Sequence, residues 1–235
     1  MANKSDWIEY WGKPRGFMIE NMRKNREIFL KNSTKFLHFT KKDVVLDIGC
    51  GVGLIEEFIK DKVKEVHCLE VSYYNLCVLK KKFGKSKNIH IWKLNKENYT
   101  DLSFLGRKKF AIVLLISVVQ YFRDVGDLIR LINEVKKVCT KGLFLITDIK
   151  TKEGLFADAL GVLKTGLREK YLIRSLTTLI LGYLTEYRQV LKHQGLLVIS
   201  EAKLKEIVRE LKLNANIIKT PLSIDSERRH LLVRL

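Results

Sequence analysis

None of the four cysteines, Cys50, Cys68, Cys77 and Cys139, forms a Cys-x-x-Cys pair or stands at ligand spacing from a histidine. That argues against the usual zinc and dithiol motifs, no metal is expected, and free thiols in a reducing compartment follow. His38, His67, His90 and His230 are scattered, also without metal spacing. Met1-Ala2-Asn3-Lys4-Ser5-Asp6 lacks the apolar core of a secretory signal, and the apolar run Ala111–Ile116 is far too short to span a bilayer. A cytoplasmic protein is expected, or one that touches a membrane only from the side. No internal repeat, low-complexity linker, zinc-finger spacing or RNA-binding signature is present.

What the chain has in excess is positive charge. It carries 44 lysines and arginines against 26 acidic residues, a net +18 over 235 residues. Such a surplus favours an anionic partner: nucleic acid, anionic lipid or a phosphorylated small molecule. Part of it, Lys80-Lys81-Lys82, Lys85 and Lys87, reads equally well as a solvated helix end. The length suits one large α/β domain that buries about 70% of its unfolded surface.

The chain is organised around Val44-Val45-Leu46-Asp47-Ile48-Gly49-Cys50-Gly51-Val52-Gly53-Leu54. A β-branched run predicts a buried strand, Asp47 stands near its end, and three alternating glycines lead into Leu54–Ile59 at helical spacing. Missing Cβ atoms let a ligand approach the backbone, and the first amides of the following helix add a positive dipole end. A dinucleotide fingerprint, Gly-x-Gly-x-x-Gly, needs its third glycine where Leu54 stands; here it comes one residue early, at Gly53.

Further along, strands are expected at Glu65–Glu70, Asn88–Leu94, Phe110–Leu115 and Gly142–Asp148, with helices over Leu54–Lys60, Tyr73–Phe83 and Asp127–Cys139. This alternation predicts a doubly wound parallel sheet. Trp7, Ile8, Tyr10 and Trp11 open a helical cap over residues 1–39, and 40–150 form the central half. Helices over Gly154–Lys164 and Leu167–Lys192 make an insertion spanning 151–193. Residues 194–235 complete the sheet through an extended piece at Gly195–Ile199, a helix capped by Ser200, and strands at Asn216–Ile218 and His230–Val233.

The pattern Asp-x-Gly-x-Gly-x-Gly resembles the first motif of class I S-adenosylmethionine methyltransferases. That resemblance implies an α/β, seven-stranded, mostly parallel sheet with an antiparallel last strand. It also implies S-adenosyl-L-methionine as cofactor, with Asp47, Gly49, Cys50, Gly51 and Gly53 at its methionine end. Glu70, with Val71 beside it, would accept the ribose hydroxyls. Asn95, standing where the family usually carries Gly-Asp, and Lys96 would lie at the adenine. Ser117 and Gln120 follow the fourth strand, and Tyr10 reads either as a cofactor lid or as core packing. Ser117–Phe122, with the Tyr-Trp near the N-terminus, is similar to a branch acting on small molecules and surface-polysaccharide sugars. That branch usually has Asp where Ala111 stands, and Gly-Asp-Ile-Pro where Thr147–Lys150 stands.

Methyl transfer is an in-line displacement, so a base is needed only for a hydroxyl or protonated amine acceptor. Asp148, beyond the fifth strand, is the expected base, with helix capping or lysine pairing as its structural alternative. His193 could reach the same cleft. Arg228 and Arg229 could hold a phosphate or simply dress a strand. The expected acceptor is a small molecule: a sugar or another anionic or lipid-linked metabolite. RNA is the second reading and an inactive binding partner of the same fold the third. The apolar and basic stripe over 154–193 suits an acceptor wall, peripheral contact with a membrane, or a homodimer contact.

Overall fold

The computed structural model describes residues 5–14, 16–106, 108–152, 163–164, 166–167, 176–177, 180 and 186–235. Seven strands form one sheet: β1 Val44–Ile48, β2 Glu65–Glu70, β3 Ile89–Lys93, β4 Ile112–Ile116, β5 Leu143–Ile149, β6 Asn214–Ile218 and β7 Arg229–Arg234. Their order is β3-β2-β1-β4-β5-β7-β6. Strands β1 to β5 pair in parallel, and β7 runs antiparallel to both β5 and β6. The chain reverses its direction of travel across the sheet between β1 and β4. That switch point opens a crevice beyond the carboxyl ends of the strands.

The helices are α1 Ser5–Trp11, α2 Gly16–Ser33, α3 Glu56–Ile59, α4 Tyr73–Phe83, α5 Val125–Val138, α6 Glu186–Gln194 and α7 Glu201–Glu210. Leu128, Leu131, Ile132 and Val135 of α5 join Leu204 and Ile207 of α7 on one face of the sheet. Phe29 of α2, Ile59 of α3 and Leu79 and Phe83 of α4 cover the other. Local chemistry sets the boundaries: Asp124 accepts from the Asp127 amide to start α5 at 3.0 Å, and Ser200 accepts from the Lys203 amide to start α7 at 3.2 Å.

Two expectations change. The helix expected from Leu54 begins at Glu56, because turns continue through Ile55 after three positive-φ glycines. The piece at Gly195–Ile199 joins no strand. Leu197 donates to the Gln120 carbonyl at 2.8 Å and Ile199 to the Lys150 carbonyl at 2.8 Å, so it bridges the loops after β4 and β5. The two insertion helices lie largely outside the described residues. What is described of the second ends in α6, which stops where Gly195 adopts φ +63°. Among the described residues no helix is long and apolar enough to cross a membrane.

Candidate active site

The three glycines after β1 all have positive φ, yet they serve different purposes. A Cβ on Gly49 would stand 2.7 Å from a Val118 methyl, so its absence lets the loop after β4 pack against the turn. A Cβ on Gly53 would stand 2.5 Å from the Phe83 ring, so its absence lets α4 close in. A Cβ on Gly51 would meet nothing within 4 Å. Gly51 alone of the three opens on free space, and at φ +62° any side chain there is also strained.

Glu70, the last residue of β2, faces this loop and is buried. Its Oε2 accepts from the Gly51 amide at 2.9 Å; its Oε1 accepts from the Val71 amide at 2.9 Å and the Ser72 amide at 2.7 Å. Burial raises its pKa, opposed by those three amides. A carboxylate has about four acceptor positions. With three filled and the Asn75 side chain also beside it, accepting two further hydroxyls requires some of these contacts to give way. Asp47 and Glu56 are buried beside each other, and burial pushes both well above the usual carboxylate range, Glu56 adding to the rise at Asp47. Cys50, half-buried in the loop, has its thiol raised by burial and faces Cys68.

A second group of residues stands at the ends of β4 and β5. Ser117 and Asp148 both sit at φ +61°, a conformation seldom taken by side chains other than glycine. Ser117 Oγ donates to Asp148 Oδ2, as does Thr147 Oγ1 at 3.2 Å. Arg26 of α2 donates to Ser117 Oγ at 3.2 Å. Beneath Asp148, its amide donates to His230 Nδ1 of β7 at 3.1 Å. Burial opposes ionisation of Asp148, but His230, the hydroxyls of Ser117 and Ser223, and Arg26 together hold its pKa below the ordinary value. Its Oδ1 is buried without a hydrogen-bond partner. Burial lowers the pKa of His230, and the Asp148 carboxylate opposes that shift.

Residues 46–147 match the family model described as a methyltransferase domain. That match covers 102 of the 235 residues. Ribosomal RNA small subunit methyltransferase A of Mesomycoplasma hyopneumoniae (strain 232) is 31% identical over 100 residues, 43% of this chain and 36% of that protein. The match thus spans about a third of the curated relatives' length. Among solved structures, the N-methyltransferase NodS of Bradyrhizobium japonicum WM9, in complex with S-adenosyl-L-homocysteine, superposes at TM-score 0.58 and 13% identity, covering 99% of this chain and 98% of that one. The methyltransferase in complex with the Haloferax volcanii Trm112 activator superposes at 0.62 and 10% identity, covering 100% and 98%. At such identities the likeness is one of fold: the Rossmann-like methyltransferase sheet.

The remaining expected residues are dispersed. Tyr10 is buried among rings, 5.0 Å from Trp11, 5.9 Å from Trp7 and 5.7 Å from Tyr187 of α6. Tyr121, after β4, joins the same cluster 4.9 Å from Trp7, and Trp7 Nε1 donates to the Gly195 carbonyl at 3.0 Å. The cluster therefore ties the N-terminal cap to α6. Asn95 and Lys96 are exposed, and Asn95 Oδ1 accepts from the Glu97 amide at 3.0 Å, closing a turn. Gln120 offers its carbonyl to Leu197. His193 is exposed in the last turn of α6. The histidine that reaches Asp148 is His230, which sequence reasoning left among the scattered ones. Arg26 and Cys68 gave no local signal. Glu56 did: it is an acid inside the apolar run Leu54–Ile59.

Proposed function

We propose that this chain is an S-adenosylmethionine-dependent methyltransferase with a small, anionic acceptor. The observation that carries it is the free space at Gly51, bordered by a buried Glu70 on a loop of the methyltransferase family. These residues fit the cofactor: an uncrowded backbone for its amino-acid end and a carboxylate at the strand end for its ribose. When bound, the cofactor supplies an electrophilic methyl group on a sulfonium.

The chain's own residues then have to position the acceptor. Asp148 is ionised and its Oδ1 is buried without a partner, so it suits the O–H or N–H of an incoming molecule. A carboxylate held at low pKa is a weak base, so Asp148 serves chiefly to hold and aim the acceptor. Ser117 donates to its Oδ2, and His230 accepts from its main-chain amide. Residues 151–193 form the acceptor wall in this reading, with α6 anchored to the N-terminal cap through Tyr187. The net charge of +18 supports an anionic acceptor.

RNA is a second acceptor reading, favoured by that charge and by ribosomal RNA methyltransferases among the relatives. Isothermal titration with S-adenosylmethionine and S-adenosylhomocysteine tests the cofactor assignment; absence of binding by folded protein would end it. Incubating cell extract with methyl-labelled cofactor, then separating small molecules, lipid and RNA, tests the acceptor. Label confined to RNA would replace the small-molecule reading.

A further inference from the structure

We propose that Cys50, Cys68 and Glu56 form a binding site for a thiophilic divalent cation, of the zinc and cadmium class, beneath the glycine loop. The two cysteines are eighteen positions apart and show no ligand spacing in the sequence; the fold brings them together. One ligand atom from each of the three residues lies within 4.8 Å of the other two. Cys68 Sγ stands 3.6 Å from Glu56 Oε1. On a tetrahedral zinc, with sulfur at about 2.3 Å and oxygen at about 2.1 Å, two such donors are about 3.6 Å apart. The Cys68–Glu56 pair thus already stands at the spacing the ion would impose.

A second observation points the same way. Glu56 has no exposed surface, and its Oε2 has no hydrogen-bond partner. A buried carboxyl oxygen without a partner is costly, and a coordinated cation removes that cost. Two thiolates select zinc or cadmium over magnesium or calcium, which prefer oxygen. Three protein ligands leave one tetrahedral position for water or for Asp47, which adjoins Glu56. Binding requires the thiols and the carboxyl to give up protons. Affinity therefore rises with pH, and each bound cation releases protons to solvent.

A second triad, Glu65, His67 and His90, has comparable spacing but different chemistry. Trp92 Nε1 donates to His67 Nδ1 at 3.0 Å, which puts the imidazole proton on Nε2, the atom facing Glu65. Coordination through Nε2 would move that proton to Nδ1, against the Trp92 N–H. It serves as an internal control.

The cation site is independent of the methyl-transfer reading, because it stands on ligand geometry alone. The test titrates reduced, chelator-stripped protein with cadmium and follows thiolate-to-cadmium charge-transfer absorption together with proton release. Saturation is expected at one cation per chain. Cys50→Ser and Cys68→Ser should each diminish the band, and Glu56→Gln should keep the band while weakening binding by about tenfold or more. His90→Ala should change nothing. Folding of each variant is checked by circular dichroism, and the wild-type titration stands even if a variant fails to fold. No saturable band in folded wild type overturns the proposal. So does a band that survives in the Cys50→Ser/Cys68→Ser double variant, which would assign it to Cys77 or Cys139.

Discussion

The loop after β1 and the loops after β4 and β5 meet at the same crevice, but they manage buried acids in opposite ways. Behind the glycine loop, Asp47 and Glu56 are buried together, which pushes both pKa values well up, with Arg26 a minor counterweight at Asp47. At β5, Asp148 is equally buried yet ionised, because His230, hydroxyls and Arg26 surround it. The difference teaches what each side is prepared for. The first side is poorly compensated and gains most from a ligand that brings a cation. The second is already compensated and has a carboxyl oxygen ready to accept a hydrogen bond.

The largest expected effect breaks the first side outright. Gly51→Val should abolish binding of S-adenosylhomocysteine measured by titration calorimetry, since it fills the free space and strains φ +62°. Wild-type affinity in a folded variant would remove the loop from the site. Next, Glu70→Ala should weaken S-adenosylmethionine and S-adenosylhomocysteine alike by at least about tenfold, as one charged hydrogen bond contributes about 1.5–3 kcal/mol. An unchanged dissociation constant for both would mean that Glu70 serves only to tether the amides of Gly51, Val71 and Ser72.

These first two changes concern residues legible in the sequence, and the reason is local. A strand, a positive-φ turn and an acid at the next strand's end are written within about twenty-five residues. The parallel, doubly wound class of the sheet followed from alternating strands and helices in the same way. The Asp148 side was legible only in part. Its position after β5 was clear, but its partners come from α2 and β7, and no short-range pattern announces Arg26 or His230. His193 was attractive because of its place in the insertion, and it lies exposed on α6. The glycines looked alike in the sequence, and only packing separates Gly51 from Gly49 and Gly53.

Asp148→Asn tests the second side. Turnover should fall by about tenfold or more while S-adenosylhomocysteine binding stays unchanged, because the variant alters acceptor placement alone. Weakened cofactor binding with unchanged turnover would reverse the roles given to the two sides.

The smallest effect sharpens the contrast through pH. Glu56 keeps its proton in the fold but loses it in the unfolded chain above its ordinary pKa, so its contribution to stability declines as pH rises. Glu56→Gln removes that slope. The variant should gain about 1 kcal/mol or more over wild type at pH 8, the scale of relieving one buried polar group, and less at pH 5, read from urea melts. A gain that does not grow with pH would show that Glu56 is ionised in the fold.

Strand β7 lies between β5 and β6, and that placement governs the order in which the sheet can be finished. Ile149 of β5 pairs with Arg229 of β7, so one edge of β5 has no native neighbour until residues 150–228 have been made. That edge, Leu143–Ile149, is almost wholly apolar. An apolar strand with open backbone groups is a template for unwanted pairing between nascent chains. His230 arrives on the same late strand, so the support beneath Asp148 and the closure of the exposed edge are completed in a single step of synthesis.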